Sequence, residues 1–131
     1  MGTGANYAGL DKAFKLNGAT PSKTGMIAKI TSANAVQTCD IASAATDIVV
    51  GVFTDNAPAP AGKNVYVNVR MSGIARVLVA APVAKGAKVT TDAAGKGIAT
   101  TTAGNTVVGI ALEASTPNGY VDVLLTPGLK Y

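Results

Sequence analysis

A short pattern occurs twice in this chain, and that duplication constrains the fold more than any other feature. Val49-Val50-Gly51-Val52 returns as Val107-Val108-Gly109-Ile110. Val65-Tyr66-Val67-Asn68-Val69 with Gly73 returns as Tyr120-Val121-Asp122-Val123 with Gly128, and Gly25 through Ile30 resembles Gly86 through Thr91. Residues 25–73 and 86–128 therefore read as two copies of one unit. Within each copy the apolar residues alternate with polar ones, as in Val65, Val67, Val69 and Val121, Val123, Leu125. Period two with β-branched residues is the mark of a strand with one buried face. Further strands are expected at Met26–Ile30, Val36–Cys39, Ile48–Phe53, Ile74–Val79, Ala87–Thr91 and Val107–Leu112. Asn17-Gly18, Gly62-Lys63, Gly95-Lys96-Gly97 and Asn118-Gly119 supply turns between them. The Ala-Pro repeat over 57–61 cannot be a central strand, and the Ala-rich stretch 40–47 suits one helical turn. Two copies of a short β unit predict an all-β fold, a small barrel or sandwich with pseudo-twofold character, and not an open solenoid. Gly51 and Gly109 interrupt apolar runs, which marks a bulge or a close backbone approach.

The 131 residues suit one domain, and 48% hydrophobic with 14% charged residues is the balance of a folded chain. The apolar residues are mainly Ala and Val, aromatics are 5% and Trp is absent. At about 25 cal/mol per Å² buried, such a core gains little per residue, and domains of this kind often gain further stability from oligomerisation or docking. The formal charge is +4. Residues 1–24 carry Lys12, Lys15 and Lys23 against Asp11, whereas 25–73 balances. This is ordinary solubility, or a basic arm seeking an acidic partner. Nucleic-acid binding is not expected, because dense Lys/Arg clusters interleaved with aromatics are missing. The start lacks the apolar run of a signal peptide and no run approaches the ~18 residues that span a membrane, so synthesis in the cytoplasm is expected and no membrane partner.

Chemistry is sparse. With no His there is no Ser-His-Asp or Cys-His arrangement, and the commonest metal ligand and general base is missing. Cys39 is the only cysteine, which excludes a disulfide within the chain and a Cys-based zinc site; next to Asp40 it reads as a small buried apolar residue. Asp55 and Glu113 follow the two V-V-G strands at equal distance and read as equivalent solvated rims rather than a catalytic pair. Gly62-Lys63 and Gly95-Lys96 lack the spacing of a phosphate loop. No catalytic residue, cofactor or metal is expected, and no enzymatic activity. Residues 1–24 lie outside the repeat and are read as an N-terminal arm ahead of a β domain over 25–131. Their apolar residues are Tyr7, Leu10, Phe14 and Leu16; the spacing Tyr7, Leu10, Phe14 fits one face of a short helix, and equally an arm added to a neighbour's sheet edge or a segment packed on its own barrel.

The order of these motifs over 25–128, G-x-x-A-K-[IV]-T, then V-V-G-[VI], then G-x-V-x-V, then a Gly before another apolar strand, resembles the capsid decoration (cement) proteins of tailed bacteriophages. Its residues are Val49–Val52, Gly62–Val69, Gly73–Val79, Gly86–Thr91, Val107–Leu112 and Gly119–Leu125. The family has also been labelled recombinase-like, which finds no support here, since there is neither a Walker loop nor αβ alternation. The resemblance implies a β-tulip-like or small barrel fold and a virion protein bound to the capsid exterior as trimers, clamping neighbouring major capsid subunits. It also implies an N-terminal arm reaching onto the capsid protein, which makes Tyr7, Leu10, Phe14 and Leu16 the candidate contacts. The competing reading is a carbohydrate- or surface-binding β module of a head fibre or tail, which requires exposed aromatic platforms.

Overall fold

The structure is a computed structural model that describes residues 9–18, 20–31, 37–61 and 63–131. The described residues form ten strands and contain no helix. The first five are β1 (Asp11–Leu16), β2 (Ile27–Ile30), β3 (Thr38–Ile41), β4 (Val49–Phe53) and β5 (Tyr66–Arg70). They close into a barrel in the order β1-β3-β2-β4-β5, sealed by a parallel pairing of β1 with β3. The second five are β6 (Ile74–Leu78), β7 (Lys88–Thr91), β8 (Gly97–Ala99), β9 (Thr106–Ala111) and β10 (Tyr120–Lys130), in the order β6-β10-β9-β7-β8.

The duplication holds in the register of the paired strands. Val52 faces Arg70 and Phe53 faces Val69 across β4 and β5; Ile110 faces Leu124 and Ala111 faces Val123 across β9 and β10. The connecting hydrogen bonds repeat as well. The Gly25 N–H donates to the Phe53 carbonyl and the Gly86 N–H to that of Ala111; the Thr54 N–H donates to Asn68 and the Leu112 N–H to Asp122. Even the barrel seal recurs. Leu16 pairs in parallel with Cys39 in the first unit, and Val79 with Gly97 in the second, there as a single bridge. The second unit is a five-stranded sheet of the same strand order, whose end strands β6 and β8 approach each other at this one bridge.

This symmetry corrects the reading of residues 1–24 as an arm outside the β domain. Phe14 faces Val67 across β1 and β5, just as Val77 faces Val121 across β6 and β10. β1 is thus the counterpart of β6, and the repeat begins at Asp11 rather than at residue 25. Asp11–Leu16 is neither a helical face nor a strand lent to a neighbour but a wall of its own barrel; residues 1–8 lie outside the described residues. The Ala-rich stretch 40–47 also departs from expectation. It turns without a helix, because the Asp47 carboxylate accepts hydrogen bonds from the N–H groups of Ser43 and Ala44 and holds the chain in a tight loop.

Gly51 and Gly109 owe their place to close approach. A Cβ at Gly51 would collide with the Arg70 carbonyl, and one at Gly109 with that of Leu124. At Gly51 the register against β2 also shifts, so that Val50 is the extra residue of a bulge.

Two clusters form the interior. Phe14, Leu16, Cys39, Phe53, Val67 and Val69 fill the first barrel. The second cluster holds the interior of the second unit, including Val77, Val89, Val121 and Val123, but also Ile27, Ala42, Val49 and Val52 from the first. The first unit's β4 packs against β6, β9 and β10, and its outward residues are part of the second unit's core. Polar ties reinforce the junction: Ile27 N–H to the Gly95 carbonyl, Leu78 N–H to that of Gly25, and Thr106 Oγ1 to that of Asp47, at 2.8, 2.9 and 2.8 Å.

Candidate functional site

Residues with chemical potential are tied into the framework or stand apart. Cys39 is fully buried, and that burial, with the Asp40 charge beside it, pushes its thiol up to about 12. It stays protonated at neutral pH and is no nucleophile. Asp55 and Glu113 occupy equivalent rims of different units, and the Asp55 carboxylate is engaged by the Asn68 N–H at 3.1 Å. Among the described residues no group of three His, Cys, Asp or Glu could hold a metal ion. A groove of about 430 Å³ is lined by Lys15, Leu16, Asn17, Pro60, Lys63 and Asn64 among others. It has cationic and amide groups but no carboxylate or thiol.

The surfaces are best read as rows across the strands. On the first unit the outward rows are Asp11–Arg70, Ala13–Asn68 and Lys15–Tyr66. The first is a two-pronged ion pair, with Arg70 Nε 2.8 Å from Asp11 Oδ1 and Nη2 3.1 Å from Oδ2. The hydrogen bond from Arg70 holds the Asp11 carboxyl below its ordinary value against a smaller opposing effect of burial. Arg70 Nη1 also donates to the Ile74 carbonyl, linking the two units. This face mixes charged and amide groups with Tyr66, which is 61% exposed, and has Lys12 and Lys63 exposed nearby.

On the second unit the equivalent rows are Ile74–Leu124, Arg76–Asp122 and Leu78–Tyr120. The first continues across β9 and β7 through Ile110 to Lys88. Leu124 is 43% exposed, Tyr120 44% and Leu112, just beyond β9, 39%. Where the first unit presents an ion pair, the second presents Ile74 and Leu124.

The four residues singled out in the sequence separate. Phe14 and Leu16 are 3% and 1% exposed and belong to the first barrel's core; as contacts for another protein they are corrected, because their alternation points them inward. Leu10 is 57% exposed, with its carbonyl held by the Met71 N–H. Tyr7 lies outside the described residues. Sequence reasoning missed the apolar rows of β6, β9 and β10 as a surface; the signal was present in Ile74, Leu78, Ile110 and Leu124 standing at outward positions of strands whose inward positions were already apolar.

The family model for phage cement proteins matches residues 17–126, most of the chain. The chain belongs to the phage cement protein family. The match begins just after β1, so that strand is assigned to the cement-protein barrel by its pairing rather than by the family pattern. The fold is similar to the crystal structure of the head fiber gp8.5 N base in bacteriophage phi29, with a TM-score of 0.69 over 93% of this chain and 100% of that one at 16% identity. No curated protein matches the chain. Membership gives this cement protein a structural, capsid-associated place in the phage particle.

Proposed function

We propose that the chain binds the outer surface of a phage capsid and stabilises the shell by clamping neighbouring major capsid subunits, acting as a trimer and without catalysis. The observation that carries this reading is the cement-family match over 17–126. A protein that binds the assembled shell and not its free subunits stabilises the shell by mass action, by about 2.7 kcal/mol per site at a hundred times its Kd. Repeated weak contacts reinforce one another through effective concentration. In this reading Leu10 and the segment before it, including Tyr7, reach onto the capsid protein.

The test is co-sedimentation of the purified chain with capsids lacking it, followed by thermal disruption of the particles. Stoichiometric binding and a higher disruption temperature are expected. Removing residues 1–8 spares β1 and should weaken capsid binding at least tenfold without unfolding the barrel. A folded chain with no affinity for capsids would overturn the reading. The head-fibre alternative rests on exposed tyrosines, and Tyr66 and Tyr120 stand at equivalent positions of different units rather than forming one platform.

A further inference from the structure

We infer that the groove between the end of β1 and the loop after β4 binds an acidic peptide segment. This goes beyond the proposed function, which places Leu10 and the segment before it on the capsid protein and gives the groove no role. The duplication isolates the groove as a feature of one unit. The bridge Ser22–Ala57 has its counterpart in Val83–Ser115, and Tyr66 has its counterpart in Tyr120. Between these landmarks the first unit runs through residues 58–65 and the second through 116–119, eight residues against four. The longer loop contributes Pro60, Lys63 and Asn64 to the groove, and the end of β1 contributes Lys15 and Asn17. At the counterparts of Lys15 and Asn17 the second unit has Leu78 and Ala80. Lys15 pairs with Tyr66 as Leu78 does with Tyr120, and the Asn17 N–H donates to the Cys39 carbonyl as that of Ala80 does to Gly97. The depression at the matching place on the second unit, about 390 Å³, is lined by Ala114, Ser115, Thr116, Gly119 and Tyr120, none of them charged. The two cations and two amides are thus particular to the first unit and not demanded by the shared framework.

The chemistry of the lining selects the ligand. Among the described residues neither Lys15 nor Lys63 makes an ion pair, and no Asp or Glu lines the groove. The Asp40 carboxylate approaches Gly18 and is itself held by the Ile41 N–H at 2.7 Å. Two cations in a concave site attract carboxylates. Asn17 and Asn64 each offer an amide carbonyl and an NH2 group, which match the N–H and C=O of a peptide backbone. A phosphate or sulfate offers acceptors alone and would leave the amide oxygens unmatched. The lining has no Arg to grip a phosphate through two bonds and no aromatic ring on which a base or a sugar could stack. The loop is also set before any ligand arrives. Pro58 and Pro60 each fix a backbone angle, Pro60 is buried, and the Lys63 N–H donates to the Pro60 carbonyl at 2.7 Å. Ala61 has a φ of 46°, a left-handed conformation that alanine rarely adopts. Strain of this kind clusters at ligand clamps, and a loop already held in place loses little freedom on binding.

The test is the fluorescence anisotropy of a labelled peptide alternating Glu and Ala, titrated with the full chain. A peptide alternating Gln and Ala is the neutral control, and far-UV circular dichroism checks folding. The Glu peptide is expected to bind, more weakly as salt is added, and the Gln peptide is not. Lys15→Gln combined with Lys63→Gln should weaken binding about tenfold. Lys23→Gln combined with Lys85→Gln removes the same charge from exposed positions outside the groove and should leave binding unchanged. Equal losses in the two double variants would overturn the inference, because net charge alone would then account for binding. A folded chain that binds neither peptide, or both alike, overturns it as well. Tighter binding of a labelled oligothymidine than of the Glu peptide also overturns it and assigns the groove to a phosphate backbone. No capsid enters the assay, so a failure here leaves the proposed function standing, and a failure of capsid binding leaves this inference standing.

Discussion

The two β units share a backbone and differ in what they show to the outside. Inward positions are interchangeable in kind: Phe14 with Val77, Val67 with Val121, Val69 with Val123. Outward positions are not. Ile27 and Val52 of the first unit are buried, whereas their counterparts Lys88 and Ile110 are exposed and half-buried. At the barrel mouth Lys12 is exposed, while its counterpart Ala75 is enclosed. Packing holds the inside to one solution in both copies, and the freedom left by duplication is spent on the surface. Where one unit shows the Asp11–Arg70 ion pair, the other shows Ile74 and Leu124.

The largest expected effect tests the shared backbone. Gly51→Val and Gly109→Val both drive a side chain into a neighbouring strand's carbonyl. Each should cost about 3 kcal/mol or more, at the upper end for overpacking. Similar losses of denaturation midpoint for the two would confirm their equivalence; one tolerated and one not would break it. Next in size is Phe14→Ala, expected to destabilise by about 3 kcal/mol, as large-to-small core changes do. A residue on a loose arm would cost almost nothing, so the denaturation curve decides between a wall and an arm.

Asp47→Ala should cost about 1–2 kcal/mol, because it frees the N–H groups of Ser43 and Ala44 at the turn that ties the first unit to Thr106. Burial would raise the Asp47 carboxyl, but those N–H groups and Lys29 outweigh it and hold it below its ordinary value. Smallest is the Asp11–Arg70 pair, worth about 0.5 kcal/mol at its exposed site. Both carboxyls have lowered values in the folded chain, so their contribution is present above the usual carboxylate range and is lost as pH falls through the lowered values. An acid titration of stability should show this loss in wild type and a smaller one in Arg70→Leu. The counterpart row Ile74–Leu124 has nothing to titrate, so Leu124→Ala should leave the acid limb unchanged.

Much of the fold was legible from the alternation of Val and the repeated V-V-G segment, because period two fixes which side chains point inward. β1 was not. Its inward pair, Phe14 and Leu16, alternates with Lys15 over too short a run, and the spacing Tyr7, Leu10, Phe14 imitates a helical face. The connection from β1 to β2 is also longer than that from β6 to β7, which hides the repeat when it is extended backwards. β8 is three residues with a single β-branched side chain, below what periodicity detects. The surfaces were less legible still. Alternation tells inside from outside on one strand, but only the packing of one unit on the other tells that Ile27 is covered and Ile110 is not.

The single rung between Val79 and Gly97 has a consequence for the order of assembly. The first barrel closes with its own strands and its own core. The second unit's sheet meets itself at that one bridge and completes its interior with Ile27, Val49 and Val52, which the first must already hold in place. A ribosome delivers the units in that order, so the self-sufficient half is finished while the dependent half is still being made. The early half then serves as a mould for the later one, and a circular permutant that releases the second unit first should refold more slowly and aggregate more.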